Sequence, residues 1–118
     1  MSAFGQRVRA LREAKAAQDP EFGLRRVAQR VGISPTFLSR IETGKGDALP
    51  SEENIVKLAH ELGEDPDRLL ALAGKVRSEL LDLIIEQPEA FAKVIEALGG
   101  KPTETFDRVA QEVRDGDW

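Results

Sequence analysis

Residues Val27 to Lys45, VAQRVGISPTFLSRIETGK, place apolar side chains at helical spacing but carry Gly32 and Pro35 in their midst. Inside a helix a glycine costs about 1 kcal/mol relative to alanine and a proline about 3 kcal/mol. One continuous helix is therefore excluded. Gly32 suits the left-handed position that ends a helix. Ser34 is a good N-cap, and Pro35 at the first helical position gives up a donor that has no partner there anyway. The stretch reads as two short helices, 24–31 and 34–43, joined by a tight turn.

The same signals recur along the chain. Phe4, Val8 and Leu11 put one apolar stripe on a helix of about 3–16, and Asp19-Pro20 marks a turn in the following loop, AAQDPEFG. Gly23 can cap the helix that begins at Leu24, and Gly44 and Gly46 close the third. Ser51 caps a fourth helix, about 52–62, with Glu52 and Glu53 favourably placed in its first turn. Asp65-Pro66 starts a fifth, 66–73, ended by Gly74. Three further patterns follow, at Ser78 to Gln87, Pro88 to Leu98 and about Thr103 to Arg114. No strand alternation stands out, so the expected class is all-α, with a domain at 1–74 and a helical region at 75–118.

Composition narrows the setting. Apolar residues are 41% and charged residues 32%, which fits a soluble globular chain. No apolar run approaches the roughly 18 residues of a membrane span, the start MSAFGQRVRA lacks a signal-peptide core, and there is no cysteine. These features suit the cytoplasm. With one histidine (His60, expected at the surface), no thiol and no carboxylates at metal-ligand spacing, neither a catalytic site nor a metal or cofactor is expected. The net charge of −4 is unevenly spread: residues 1–48 hold nine Lys/Arg and five Asp/Glu, residues 49–118 eight and sixteen. The first half is thus +4 and the second −8, and a local positive field is what a nucleic-acid partner requires.

Two short helices about a glycine turn describe a helix-turn-helix, although the spacing alone also fits an ordinary αα-corner in a bundle. Residue identities decide between them. LREAK at Leu11–Lys15, FGLRRVAQRVGIS at Phe22–Ser34, PTFLSRIETGK at Pro35–Lys45 and the downstream LPSEENIVKLAHELGEDPDRLLALAG closely resemble the lambda-repressor/Cro-type family, also called the xenobiotic-response-element family. The resemblance covers residues 4–74. It implies a five-helix DNA-binding domain, double-stranded DNA as partner, and a third helix that enters the major groove.

On that third helix Leu38 and Ile41 face the core by their spacing, leaving Pro35, Thr36, Ser39 and Arg40 on the other side. Thr36 and Arg40 are one turn apart; Arg can clasp a guanine edge and Thr can hydrogen-bond or pack on thymine. The resemblance carries base contacts onto Thr36, Ser39 and Arg40. Pro35 departs from members that place a glutamine there, so its contact is absent or merely apolar. Phe37 is expected to face outward, with DNA contact and packing on the following loop as open alternatives. Phosphate contacts are expected at Arg25, beside the first amides of helix two, and at Lys45 with the backbone of Thr43 and Gly44. Arg26 and Arg30 fit a solvated face. The resemblance also implies a partly buried ion pair between Arg12 and Glu42, which positions the reading helix. KAAQDPEFG, residues 15–23, is an insertion relative to the family's short loop, expected to face DNA backbone or solvent.

The tail is too short for a self-cleaving peptidase domain. Its first helix holds Leu80, Leu81, Leu83, Ile84 and Ile85, more than a single core-facing stripe takes. A homodimer interface is expected on helices six to eight, with Leu81, Ile85, Phe91 and Val94 as candidate residues. The alternative is a docking surface for a regulatory protein, as in an antitoxin or a protease-controlled repressor.

Overall fold

The computed structural model describes residues 2–46 and 48–118, and among them eight α-helices, one 3₁₀ turn and no strand. The all-α expectation holds. The chain divides into two compact units, Met1–Arg77 and Ser78–Trp118. The division falls just past Gly74 because the connecting residues are tied to the first unit. Lys75 donates to the carbonyl of Pro50 at 3.3 Å, and Arg77 pairs with Asp67 at 2.7 Å.

The first unit holds α1 (Ala3–Ala16), the 3₁₀ turn (Pro20–Phe22), α2 (Leu24–Val31), α3 (Pro35–Thr43), α4 (Glu52–Leu62) and α5 (Pro66–Leu72). Local chemistry sets the boundaries. The hydroxyls of Ser2, Ser34 and Ser51 accept from the amides of Gly5, Phe37 and Asn54 at 3.0–3.2 Å, satisfying donors a helix start leaves orphaned. At the end of α2, Gly32 takes φ of +90°, which lets its own amide and that of Ile33 donate to Ala28. Helix α5 stops at Leu72, slightly earlier than 73: the amides of Ala73 and Gly74 turn to the i−3 carbonyls of Leu70 and Ala71 at 2.9 Å, and Gly74 takes φ of +73°.

Packing turns these short pieces into one body. α1 lies against α3, α4 and α5, while α2 lies against α3 and α4. Phe4 and Val8 from α1, Val27, Ala28 and Val31 from α2, Leu38 and Ile41 from α3, and Ile55, Leu58 and Leu62 from α4 are buried together with Leu69 and Leu70. Leu11 and Leu24 pack at the margin of this core. None of these helices is long enough to be stable alone, so burial of the shared face holds the unit together.

The second unit holds α6 (Ser78–Glu86), α7 (Pro88–Leu98) and α8 (Thr103–Asp115). α6 ends one residue before Gln87 and α8 runs one beyond Arg114. No residue in these three helices is buried.

Candidate nucleic-acid interface

Helix α3 presents two unlike faces. Leu38 and Ile41 are buried, and Pro35, Thr36, Ser39 and Arg40 are exposed on the opposite side. Among the described residues Arg40 has no ion-pair partner, which leaves its planar fork of donors for an outside acceptor. The exposed face therefore offers two hydroxyls and one guanidinium, the groups that read base edges in a major groove.

Phe37 departs from expectation. It is half-buried and packs against the core from its margin, so its ring serves the fold as well as the surface. Position in the helix suggested an outward residue, but part of the ring is covered by the core it borders.

The end of α3 is fixed by a buried ion pair. Arg12 of α1 donates Nε and Nη2 to the two carboxylate oxygens of Glu42 at 2.7 and 2.8 Å, and Nη1 reaches the carbonyl of Phe22 at 3.3 Å. Arg12 is 9% exposed and Glu42 only 2%. The hydrogen bond to Glu42 raises the Arg12 guanidinium still further above its ordinary pKa, so it stays charged. A bidentate pair of this kind sets orientation as well as distance. It ties α1 to the last turn of the helix that carries the exposed face.

A second constraint had no counterpart in the sequence reading. A Cβ on Gly5 would collide with the backbone carbonyl of Ile41. Gly5 sits in the first turn of α1, two residues past its start, where a glycine is still less favourable than alanine by propensity, and that was the available signal. Its lack of a side chain lets α1 and α3 approach closely.

At the far end of α3, the amides of Gly44 and Lys45 both donate to the carbonyl of Arg40, at 2.9 and 3.2 Å, and the Thr43 hydroxyl donates to the Ser39 carbonyl at 2.8 Å. The Gly44 amide is thus spent on ending the helix, and a helix C-terminus carries partial negative charge. The Lys45 side chain is exposed beside this turn and makes no ion pair among the described residues.

The start of α2 is different. Its N-cap is Gly23, which has no side chain to satisfy the first amides, and Arg25 beside them is exposed without an ion pair among the described residues. Free amides, a positive helix end and a cation favour an anion at this point. Arg26 and Arg30 are engaged elsewhere: both pair with Glu21, and Arg30 also bonds Glu61 of α4 at 2.6 Å.

The insertion at 15–23 buries no residue, and Lys15, Ala17, Gln18, Pro20 and Glu21 are exposed, but its inner edge is anchored. Asp19 accepts from the amide of Glu21 and starts the 3₁₀ turn, which delivers Phe22 to the edge of the core. Lys15 and Arg30 each lie 5.2 Å from the Phe22 ring centre, within cation–π range. The aromatic residue anchors the loop, and α2 starts at Leu24 in spite of the added length.

A family model described as a helix-turn-helix domain matches residues 3–72, more than half of the chain. No curated protein and no solved structure matches it. The match spans α1 to α5, with the Gly32 turn and the exposed face of α3 at its centre. The chain belongs to the helix-turn-helix family of DNA-binding regulators.

Proposed function

We propose that this protein is a transcriptional repressor of the lambda-repressor/Cro type, which occupies a palindromic operator as a homodimer in the cytoplasm. The observation that carries the reading is the two-faced α3 helix: Thr36, Ser39 and Arg40 outward, Leu38 and Ile41 inward, and Glu42 tied to Arg12. Arg40 grips a guanine edge, and Thr36 and Ser39 contact neighbouring bases. Pro35 gives at most an apolar contact and Phe37 a marginal one. Arg25 and Lys45 hold phosphates on either side and fix the register.

One such helix reads too few base pairs for a useful affinity, so two copies on two half-sites are required. The test is selection of bound sites from a random DNA pool by the full chain. Enriched inverted half-sites about one helical turn (~10 bp) apart are expected. Enrichment of a single unrepeated site removes the dimeric operator, and no enrichment at any salt concentration removes sequence reading altogether.

A further inference from the structure

Loops added to a domain ordinarily run over its surface, fastened at their two ends. The insertion 15–23 is also fastened through Phe22, and the fastening leads to the helix that carries the exposed face. The 3₁₀ turn Pro20–Phe22 is closed on both sides of that residue: the Phe22 amide donates to the Asp19 carbonyl and the Gly23 amide to that of Pro20, both at 3.1 Å. Asp19 caps the turn by accepting from the Glu21 amide at 2.9 Å. The Phe22 ring is held by cations of two helices, Lys15 of α1 and Arg30 of α2. Arg30 is itself fixed by Glu61 of α4 at 2.6 Å, and the Lys15 Nζ lies 3.6 Å from the point that a Cβ on Gly63, the C-cap of α4, would occupy. Three helices thus grip one short turn.

We propose that Phe22 is a positioning residue for DNA reading: with its ring held by Lys15 and Arg30, its carbonyl steers the Arg12 guanidinium that holds Glu42 at the end of α3. The proposal deepens the operator reading and rests on it for its DNA arm. The geometry is one fork with three loads. Nε and Nη2 of Arg12 donate to the two Glu42 oxygens, and Nη1 donates to the Phe22 carbonyl at 3.3 Å. A guanidinium is planar and rigid, so its three partners cannot move independently. The bond to Phe22 is the longest, and a displaced turn breaks it first. Arg12 is only 9% exposed, so Nη1 is then a buried donor without a partner unless the fork rotates to find one. Rotation of the fork carries Glu42 with it.

The place of Glu42 decides which contact feels this. It stands two residues beyond Arg40 in the last turn of α3, whereas Thr36 stands beside the Ser34 cap at the other end. A tilt applied at Glu42 therefore moves the Arg40 end of the exposed face and leaves the Thr36 end in place. Binding geometry of this kind tolerates displacements of about 0.5 Å and about 10–20°. A small tilt is enough to relax one base preference. A purely structural role behaves otherwise, because a smaller folded fraction weakens binding to all DNA alike.

Three variants of the full chain test this. Asp19→Ala uncaps the turn, Phe22→Leu keeps an apolar side chain but loses the ring, and Phe22→Tyr keeps the ring. Site selection and affinities for selected and scrambled DNA are measured, with hydrogen exchange of the Gly44 and Lys45 amides, both bonded to the Arg40 carbonyl, in the free protein. Asp19→Ala and Phe22→Leu should relax the same base pair that Arg40→Ala relaxes. The ratio of selected to scrambled affinity should fall about 3- to 10-fold, a part of the roughly 5- to 150-fold that a bidentate contact discriminates. Exchange of the Gly44 and Lys45 amides should quicken about 10-fold relative to the Leu69 amide of α5. Phe22→Tyr should restore both. An unchanged ratio in Asp19→Ala and Phe22→Leu overturns the proposal, as does equal weakening on all DNA or a Phe22→Tyr as impaired as Phe22→Leu. Asp19→Ala removes no core contact, so the test stands on it even where Phe22→Leu does not fold. A wild-type chain that selects no sequence removes the operator reading instead. The exchange then decides this proposal, which is overturned if the Gly44 and Lys45 amides are unaltered in both variants.

Discussion

Arg12 and Glu42, thirty residues apart in sequence, meet in two parallel hydrogen bonds of 2.7 and 2.8 Å beneath the end of α3. The pair is almost fully removed from water. Neither residue is cheap to bury alone, because the loss of hydration is offset only when the partner is present. Removing Glu42 strands a cation. Glu42→Ala is expected to lower stability by about 3–5 kcal/mol, read as a large fall in melting temperature. The double replacement Arg12→Met/Glu42→Leu should cost far less, since no uncompensated charge remains. If the double variant is as unstable as the single one, the pair contributes through geometry that apolar packing does not reproduce.

Gly5 sets two effects against each other. Alanine in the first turn of α1 gains at most about 1 kcal/mol in propensity. The added methyl meets the Ile41 carbonyl, a backbone atom that has no rotamer to escape into. Overpacking of this kind costs about 1–3 kcal/mol, so Gly5→Ala is expected to be a net loss. It should also weaken DNA binding beyond the stability loss, because α3 is pushed away from α1. Calorimetry and operator affinity of the folded variant measure the two effects separately; a raised melting temperature would contradict the close approach of α1 and α3.

Arg40 and Arg25 separate reading from holding. Loss of a bidentate base contact costs about 1–3 kcal/mol and relaxes preference at one base pair in each half-site. Arg40→Ala should do this. Arg25→Ala should keep the sequence preference, bind all DNA more weakly and lower the salt slope by about one per protomer. Affinities for operator and scrambled DNA across a salt series distinguish the two. An unchanged specificity ratio in Arg40→Ala would move the reading face to Thr36 and Ser39.

The acid limb of stability has a specific candidate. Arg7 on α1 bonds Glu64 in the turn between α4 and α5 at 2.8–2.9 Å, and the Asp65 amide also donates to Glu64. The Arg7 hydrogen bond, followed by that amide, holds the Glu64 carboxyl below its ordinary 4.5. A lowered folded-state pKa gives stability that is fully present above 4.5 and is lost as the pH falls through the folded value. Glu64→Gln should therefore destabilise at pH 7 and flatten the loss of stability between pH 4.5 and the acid unfolding zone. Parallel acid curves for variant and wild type would assign that loss to other carboxylates.

Much of the first unit was legible in the sequence because its signals are local. Ser34-Pro35, Asp65-Pro66, Gly32 and Gly63 act on donors and dihedral angles within a turn of themselves, and the helices start and stop there. The apolar stripes 24/27/28/31, 38/41 and 55/58/59/62 needed only the helical repeat, and all of these residues are buried except Leu24, which packs at the margin of the core. What depended on residues far apart was not legible. Gly5 matters only through Ile41, Arg30 is claimed by both Glu21 and Glu61, and Phe22 finds its place between Lys15 and Arg30. Phe37 looked outward by position and is partly buried against the core, a contact its place in the helix does not reveal. Sequence by itself determined where the helices lie and which faces are apolar, since covalent geometry and capping work over a few residues. Only the tertiary structure decided which side chains share a site, because two helices meet through contacts that no short-range rule encodes.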